Sequence, residues 1–314
     1  MTAALVVLTA AAVVLVAALA SALVGVAGVA GRGLLRRLDA GSRLRVLTAA
    51  AVAPGAVALV AVAASFASSL LAGIDHCTAH ADHHPHLCVA HARLEHGHLL
   101  AVVIGLAATR WVFAAASAAA RTWRSWRTER ALAAIGAGSG VARIVDGMPP
   151  FAATIGWRRP RAYVSAQVPP DLRKVVIAHE LSHVRNRDPA ARALADVALA
   201  FHLPGVAGWL RHALHAAQEA RADADAAREI GDPLAVADAL VRFARLRPIP
   251  VGGATAGFEG DVASRVEELL DARRRSVLGA HWIVAAAVAC TAGLLATSHD
   301  VHHAVETVLG LLGR

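Results

Sequence analysis

The sequence predicts a mainly α membrane protein: four transmembrane helices carrying a cytoplasmic domain built around an H-E-x-x-H helix, with a small β element. Three observations carry that prediction. Of 314 residues, 57% are apolar and only 17% charged, outside the usual range of soluble globular chains. Residues 2–31, 46–74 and 276–299 contain no Asp, Glu, Lys or Arg, and each exceeds the roughly 20 residues a helix needs to cross a bilayer core. The third observation is the pentapeptide His179-Glu180-Leu181-Ser182-His183. Its neighbours must be helical for it to mean anything, because 17 histidines in the chain make an accidental match expected at roughly the few-per-cent level.

The first span, about 3–30, lacks a basic n-region, and its arginines follow it; it reads as an uncleaved anchor. The second covers about 46–74. The third, about 99–120, contains Arg110, which an intramembrane position marks for function by default; packing inside the bundle or snorkelling is the plainer reading. The fourth lies within 276–314 and is followed by a short outer tail. Orientation follows from the arginines, since short cytoplasmic loops collect them. Arg32, Arg36, Arg37, Arg43 and Arg45 crowd the first connection, whereas the second has only Arg93. This predicts a multi-pass plasma-membrane protein with both termini outside, residues 75–98 outside and residues 121–275 in the cytoplasm. Most of the formal charge of +8 is then topology. Direct nucleic-acid binding is not expected, because no zinc finger, RNA-binding signature or helix-turn-helix accompanies the basic balance.

Residues 121–275 form a domain-sized segment. Trp123, Trp126 and arginines spaced three apart predict a helix leaving the membrane with its indoles at the interface. Residues 137–140, Ala-Gly-Ser-Gly, break that pattern. Short β-rich runs follow at 141–145 and 161–165, bounded by Gly and Pro, and predict a small sheet or hairpin. Asp171 opens a helix, and from Leu172 to Val184 the apolar positions recur at helical spacing. That spacing stacks His179 and His183 on one face, able to share a Zn²⁺, with Glu180 beside the open coordination position. A third protein ligand is required. Glu219 and Asp223, four apart on a strongly helical stretch, offer one carboxylate for the metal and another to accept the N–H of a ligand histidine; a solvated helix face is the plain alternative. The apolar connection at 197–210 is too short to span but can dip into the inner leaflet. Pro248, Pro250 and four glycines up to Gly260 read as a flexible stretch before an amphipathic helix at 262–270.

These residues resemble the BlaR/MecR-type integral-membrane gluzincin zinc metallopeptidases, with prenyl-protein and HtpX-type proteases as more distant relatives. The resemblance covers most of the chain. It includes residues 156–165 as a G-x-x-x-P-R-x-x-x-S approach, the pentapeptide with Asp188 five residues later, Glu219 followed by Asp223, and residues 264–270 with Arg265 and Leu269. It implies that His179, His183 and Glu219 hold Zn²⁺, that Glu180 is the catalytic base, that Asp223 supports a ligand, and that Asp188 fixes the turn after the helix. It also implies a protein substrate, with a winged-helix repressor leading, in signal transduction; housekeeping quality control of membrane proteins is the alternative. A non-proteolytic metal-sensing receptor is a reading of another class, against which Glu180 speaks.

The chain departs from the antibiotic receptors after the fourth span, where about 15 residues leave no room for a penicillin-binding domain. Its sole lysine, Lys174, has Asp171 rather than serine three positions earlier, so an S-x-x-K acylation motif is absent. In place of that sensor stands the outer loop 75–98. His76, His80, His83, His84 and His86, with further histidines and Cys77 and Cys88, have the density to bind an outer-face Zn²⁺ or copper ion. The plain alternative is a solvated loop closed by a Cys77–Cys88 disulfide.

Overall fold

A computed structural model describes residues 3–71, 98–137, 140–249, 255–256, 262–271 and 278–296, together with Asp300, Ala304 and Thr307. The expected outer loop, with His76, His80, His83, His84 and His86, lies outside the described residues, as does most of the glycine-rich stretch before residue 262.

The chain begins with α1 (Ala3–Ala30), a short α2 (Arg32–Arg37) and α3 (Ala40–Leu71), followed by α4 (His98–Ile135). Among the described residues α1, α3 and α4 are long and apolar enough to cross a membrane, consistent with a membrane protein. The expected fourth span is described over Ala280–Ala296, 17 residues, and falls short of that length. Leu8, Ala11, Ala12, Val62 and Leu100 form one buried seam between α1, α3 and α4. Alanines let these backbones approach closely where no hydrophobic force separates helix from lipid.

The third span continues past residue 120 as the helix that Trp123, Trp126 and their arginines predict. Helix α4 runs unbroken for 38 residues, about 57 Å at 1.5 Å per residue, and so extends well past a bilayer core. On its far half Arg127 lies 4.8 Å from the ring centre of Trp123 and Arg130 3.9 Å from that of Trp126. Each is a cation–π pair one turn apart.

Beyond α4 lies a five-stranded sheet of β1 (Gly136–Ala137), β2 (Ala142–Val145), β3 (Ala152–Ile155), β4 (Arg161–Ser165) and β5 (Thr255–Ala256), in the order β1-β2-β4-β3-β5. Strands β2 and β4 run parallel, and the other neighbours are antiparallel. The sequence predicts β2 and β4 but not β3. All four β3 residues are buried, so the alternation that marks a half-exposed strand is missing. Gly156 turns the chain from β3 to β4 at φ +110°, where a Cβ would lie 2.9 Å from the Arg159 carbonyl oxygen; only glycine fits.

The remaining helices are α5 (Pro170–Arg185), α6 (Asp188–Ala198) with a 3₁₀ turn at Leu199–Phe201, α7 (Pro204–Ile230), α8 (Pro233–Arg245), α9 (Val262–Leu270) and α10 (Ala280–Ala296). Helix α5 starts at Pro170, one residue before the expected Asp171, which sits in its first turn, where its charge suits the helix dipole. The core of this region joins Ala152 and Val164 of the sheet to Val176 of α5, Leu240 and Phe243 of α8, and Leu269 of α9. Burial of these side chains holds α5 against the sheet.

The connection at 197–210 wedges among α1, α3 and α4. Phe201 packs at a tilt against Trp111, with centroids 5.4 Å apart, and the Trp209 indole lies against Gly28 where a Cβ would collide with it. His202 Nε2 is 3.1 Å from the Ala51 carbonyl, and the Leu203 N–H donates to Ser21 Oγ at 2.9 Å. Arg110 packs inside the bundle, donating to the carbonyls of Leu199 (3.1 Å), Ala200 (3.1 Å) and His202 (2.6 Å). Helix-terminal carbonyls away from water need such a donor. Arg110→Leu strands them and is expected to lower bundle stability by roughly 1–3 kcal/mol, read as a fall in the denaturation midpoint in detergent.

Candidate metal centre

Three elements meet at the pentapeptide. Helix α5 supplies His179, Glu180 and His183; α7 packs across it with Glu219 and Asp223; and β3 closes the third side with Thr154. Ser182 Oγ donates to Asp225 Oδ2 at 2.5 Å and fixes α5 against α7 next to the site. After α5 the chain turns through Arg187 at φ +52°, which starts α6 with Asp188 directed back beneath His183.

His179, His183 and Glu219 each bring one ligand atom within 4.8 Å of the others. The two histidine Nε2 atoms are 3.2 Å apart. His179 Nε2 lies 3.4 Å from Glu219 Oε2, and His183 Nε2 lies 3.6 Å from Glu219 Oε1. Ligands bonded tetrahedrally to zinc at about 2.0–2.1 Å are about 3.3 Å apart; the two Nε2 atoms already stand at that spacing, and Glu219 faces them with a different oxygen toward each. The outer ring nitrogens support the same reading. His179 Nδ1 lies 2.9 Å from Asp223 Oδ1 and His183 Nδ1 lies 2.6 Å from Asp188 Oδ2. His183 Nδ1 is hydrogen-bonded to Asp188 and His179 Nδ1 sits at ion-pair distance from Asp223, so the Nε2 atoms are the ring nitrogens that face each other, placed to share a proton or a cation.

Glu180 is fully buried and accepts from Thr154 Oγ1 at 2.7 Å through Oε2. Its Oε1 and Oε2 of Glu219 are buried with no hydrogen-bond partner. Glu219 Oε2 has His179 Nε2 and Arg265 Nη1 only at ion-pair distance, 3.4 and 3.6 Å; buried oxygens without hydrogen bonds are costly, and the pair fits a divalent cation and its water. The donor set therefore suits Zn²⁺: two imidazoles and a carboxylate, with a second carboxylate alongside.

A ring of arginines, outside the ligand set, holds the carboxylates. Arg265 of α9 makes a two-pronged bond to Asp223, Nε to Oδ2 at 2.8 Å and Nη2 to Oδ1 at 2.6 Å. Arg192 donates to Glu219 Oε1 at 3.0 Å and Arg221 donates to Asp188. Burial works against ionised Asp188 and Asp223. The partners win: His183 and Arg221 for Asp188, Arg265 and His179 for Asp223, and both pKa values are held below the ordinary range. Glu219 is likewise held low, burial being outweighed by His183, His179 and Arg265. Glu180 goes the other way; burial raises its pKa despite His183 and His179. Burial also opposes a charge on His179, but Asp223 and Glu219 override it and raise its pKa to about 9.

The structure thus brings together His179, Glu180, His183, Glu219, Asp188 and Asp223. Asp188, expected to fix a turn, also orients His183. Thr154 was hidden with its unrecognised strand. Arg192 and Arg221 look like ordinary helix-face charges in sequence, although Arg221 stands midway between Glu219 and Asp223.

No family model, curated protein or solved structure matches the chain. The chemistry of these residues alone therefore supports any functional reading.

Proposed function

We propose that the protein is a membrane-anchored zinc metalloendopeptidase that hydrolyses peptide bonds at the cytoplasmic face. The observation that carries this reading is the buried convergence of His179, His183 and Glu219, whose ligand atoms lie within 4.8 Å of one another, on the helix that also carries the buried Glu180, whose Oε1 has no hydrogen-bond partner. A zinc ion held there would acidify a bound water and polarise a carbonyl. Glu180, raised in pKa by burial, accepts the water proton and delivers it to the departing amine. Thr154 holds the other Glu180 oxygen and so fixes which one acts. Asp188 and Asp223 keep both rings in the tautomer that turns Nε2 inward. The resemblance drawn from the sequence adds a repressor of the winged-helix type as substrate and a signalling role.

The purified full-length protein is expected to bind one zinc per chain and to cleave peptides. A chelator removes both properties and added zinc restores both; cleavage that persists in zinc-free protein defeats the proposal.

Proton and metal compete for the same Nε2 position. In the metal-free fold His179 titrates at about 9 against an ordinary 6.5, so its protonation stabilises that fold fully below about pH 6.5, and this contribution is lost as the pH rises through about 9. Zinc requires the neutral ring. Its affinity is expected to rise by up to about tenfold per pH unit toward pH 9 and to flatten above it, measurable by titration against a competing chelator.

A further inference from the structure

A cleft of about 1140 Å³ opens between α3, α4, α10 and the α6–α7 hairpin, on the side of the bundle where the arginines gather. It is larger than most small-molecule sites. Six arginines line it, Arg45, Arg121, Arg124, Arg192, Arg211 and Arg221, against two carboxylates, Asp188 and Asp196. Both carboxylates are already engaged: Asp196 with Arg121 at 2.8 Å and Arg211 at 3.1 Å, and Asp188 with His183 and Arg221. Two guanidinium groups have only neutral partners among the described residues. Arg45 donates to the Leu278 carbonyl at 2.7 Å and to Ser42 Oγ at 2.9 Å, and Arg124 to the carbonyl of Ala120 in its own helix.

The walls are apolar and uncovered. Val52 of α3 is 50% exposed, Leu194 of α6 65% and Val284 of α10 61%. Trp157, half-exposed at the tip of the β3–β4 turn and followed by Arg158 and Arg159, borders the same cleft. An aromatic residue beside arginines is the composition of a headgroup-level contact. An anion alone would satisfy the guanidinium groups and leave the walls bare. An uncharged acyl chain would cover the walls and leave the charges.

We infer that this cleft is a binding site for one anionic phospholipid, its phosphate held by Arg45 and Arg124 and its chains lying along Val52, Leu194 and Val284. The site rests on the reading of these helices as membrane spans and not on the hydrolytic reading. Its inner wall is formed by Asp188, Arg192 and Arg221, the residues directly behind His183 and Glu219, so an occupying lipid braces the back of the metal centre.

The test uses the full-length protein released from membranes, exchanged into defined phosphatidylglycerol or phosphatidylcholine, and stripped stepwise under native mass spectrometry. One phosphatidylglycerol is expected to persist at detergent concentrations that remove phosphatidylcholine, with an apparent affinity at least tenfold higher. Arg124→Gln, whose side chain holds only its own helix, should reduce that preference severalfold. Val284→Trp, which fills the wall, should abolish retention of both lipids. Glu180→Gln should bind lipid as the unaltered chain does, which separates this outcome from any failure of hydrolysis. Equal retention of the two lipids overturns the inference. So does a phosphatidylglycerol preference untouched by Arg124→Gln and Val284→Trp, which would mark annular lipid, and so does an acidic peptide occupying the cleft with no lipid preference.

Discussion

Glu180→Gln is expected to leave one zinc bound per chain while lowering peptide hydrolysis by about 10²–10⁴-fold, the usual contribution of a positioned general base. The amide matches the carboxylate in size and can still accept from Thr154 Oγ1, now 2.7 Å from Oε2, so packing at this fully buried position is retained. What is lost is the ability to take a proton at the oxygen that has no partner. Metal content and steady-state cleavage measured on one preparation decide the matter. Full cleavage by the variant removes Glu180 from the mechanism, and loss of zinc would make it a ligand instead. His179→Ala provides the contrast, expected to lose metal and activity together.

Asp223→Ala is expected to have the largest effect of any change outside the ligands themselves. Two partners depend on this carboxylate, His179 Nδ1 at 2.9 Å and the two-pronged Arg265, and both are buried. Without it the His179 ring loses the acceptor that fixes its tautomer, and zinc affinity should fall about 10–100-fold. Arg265 loses its two-pronged partner and keeps Glu219 Oε2 at 3.6 Å, a defect of roughly 1–3 kcal/mol. Chemical denaturation reads the second effect and chelator competition the first. Asp223→Ala combined with Arg265→Met should restore much of the stability and none of the metal affinity. Recovery of both would mean that Asp223 acts on the fold alone.

The membrane class and the helix bearing the pentapeptide were legible because each depends on local pattern. A charge-free run of bilayer length and an apolar spacing of three to four need no knowledge of partners. Glu219 and Asp223 were legible for the same reason, being one turn apart on a stretch without helix breakers. Strand β3 was not, because burial on both faces erased its alternation. The far half of α4 was legible too: the indoles and arginines spaced three apart predict a helix continuing past the membrane, and it runs to Ile135, just before the expected break at 137–140. Arg110 had two readings from sequence; which carbonyls it meets depends on a turn 89 to 92 residues away.

By itself the sequence determined the chemistry available to this protein: two imidazoles and a carboxylate stacked on helix α5, a further carboxylate pair one turn apart, and enough charge-free length for membrane helices. Tertiary structure alone decided that Glu219 comes to face both Nε2 atoms, that Asp188 and Asp223 take the opposite nitrogens, and that Arg265, 42 residues beyond Asp223, neutralises it. Helical periodicity fixes neighbours within a few turns, whereas the packing of α5 against α7, α9 and the sheet arises from burying apolar faces. Asp188, Glu219 and Asp223 find their cationic partners only once those faces have met.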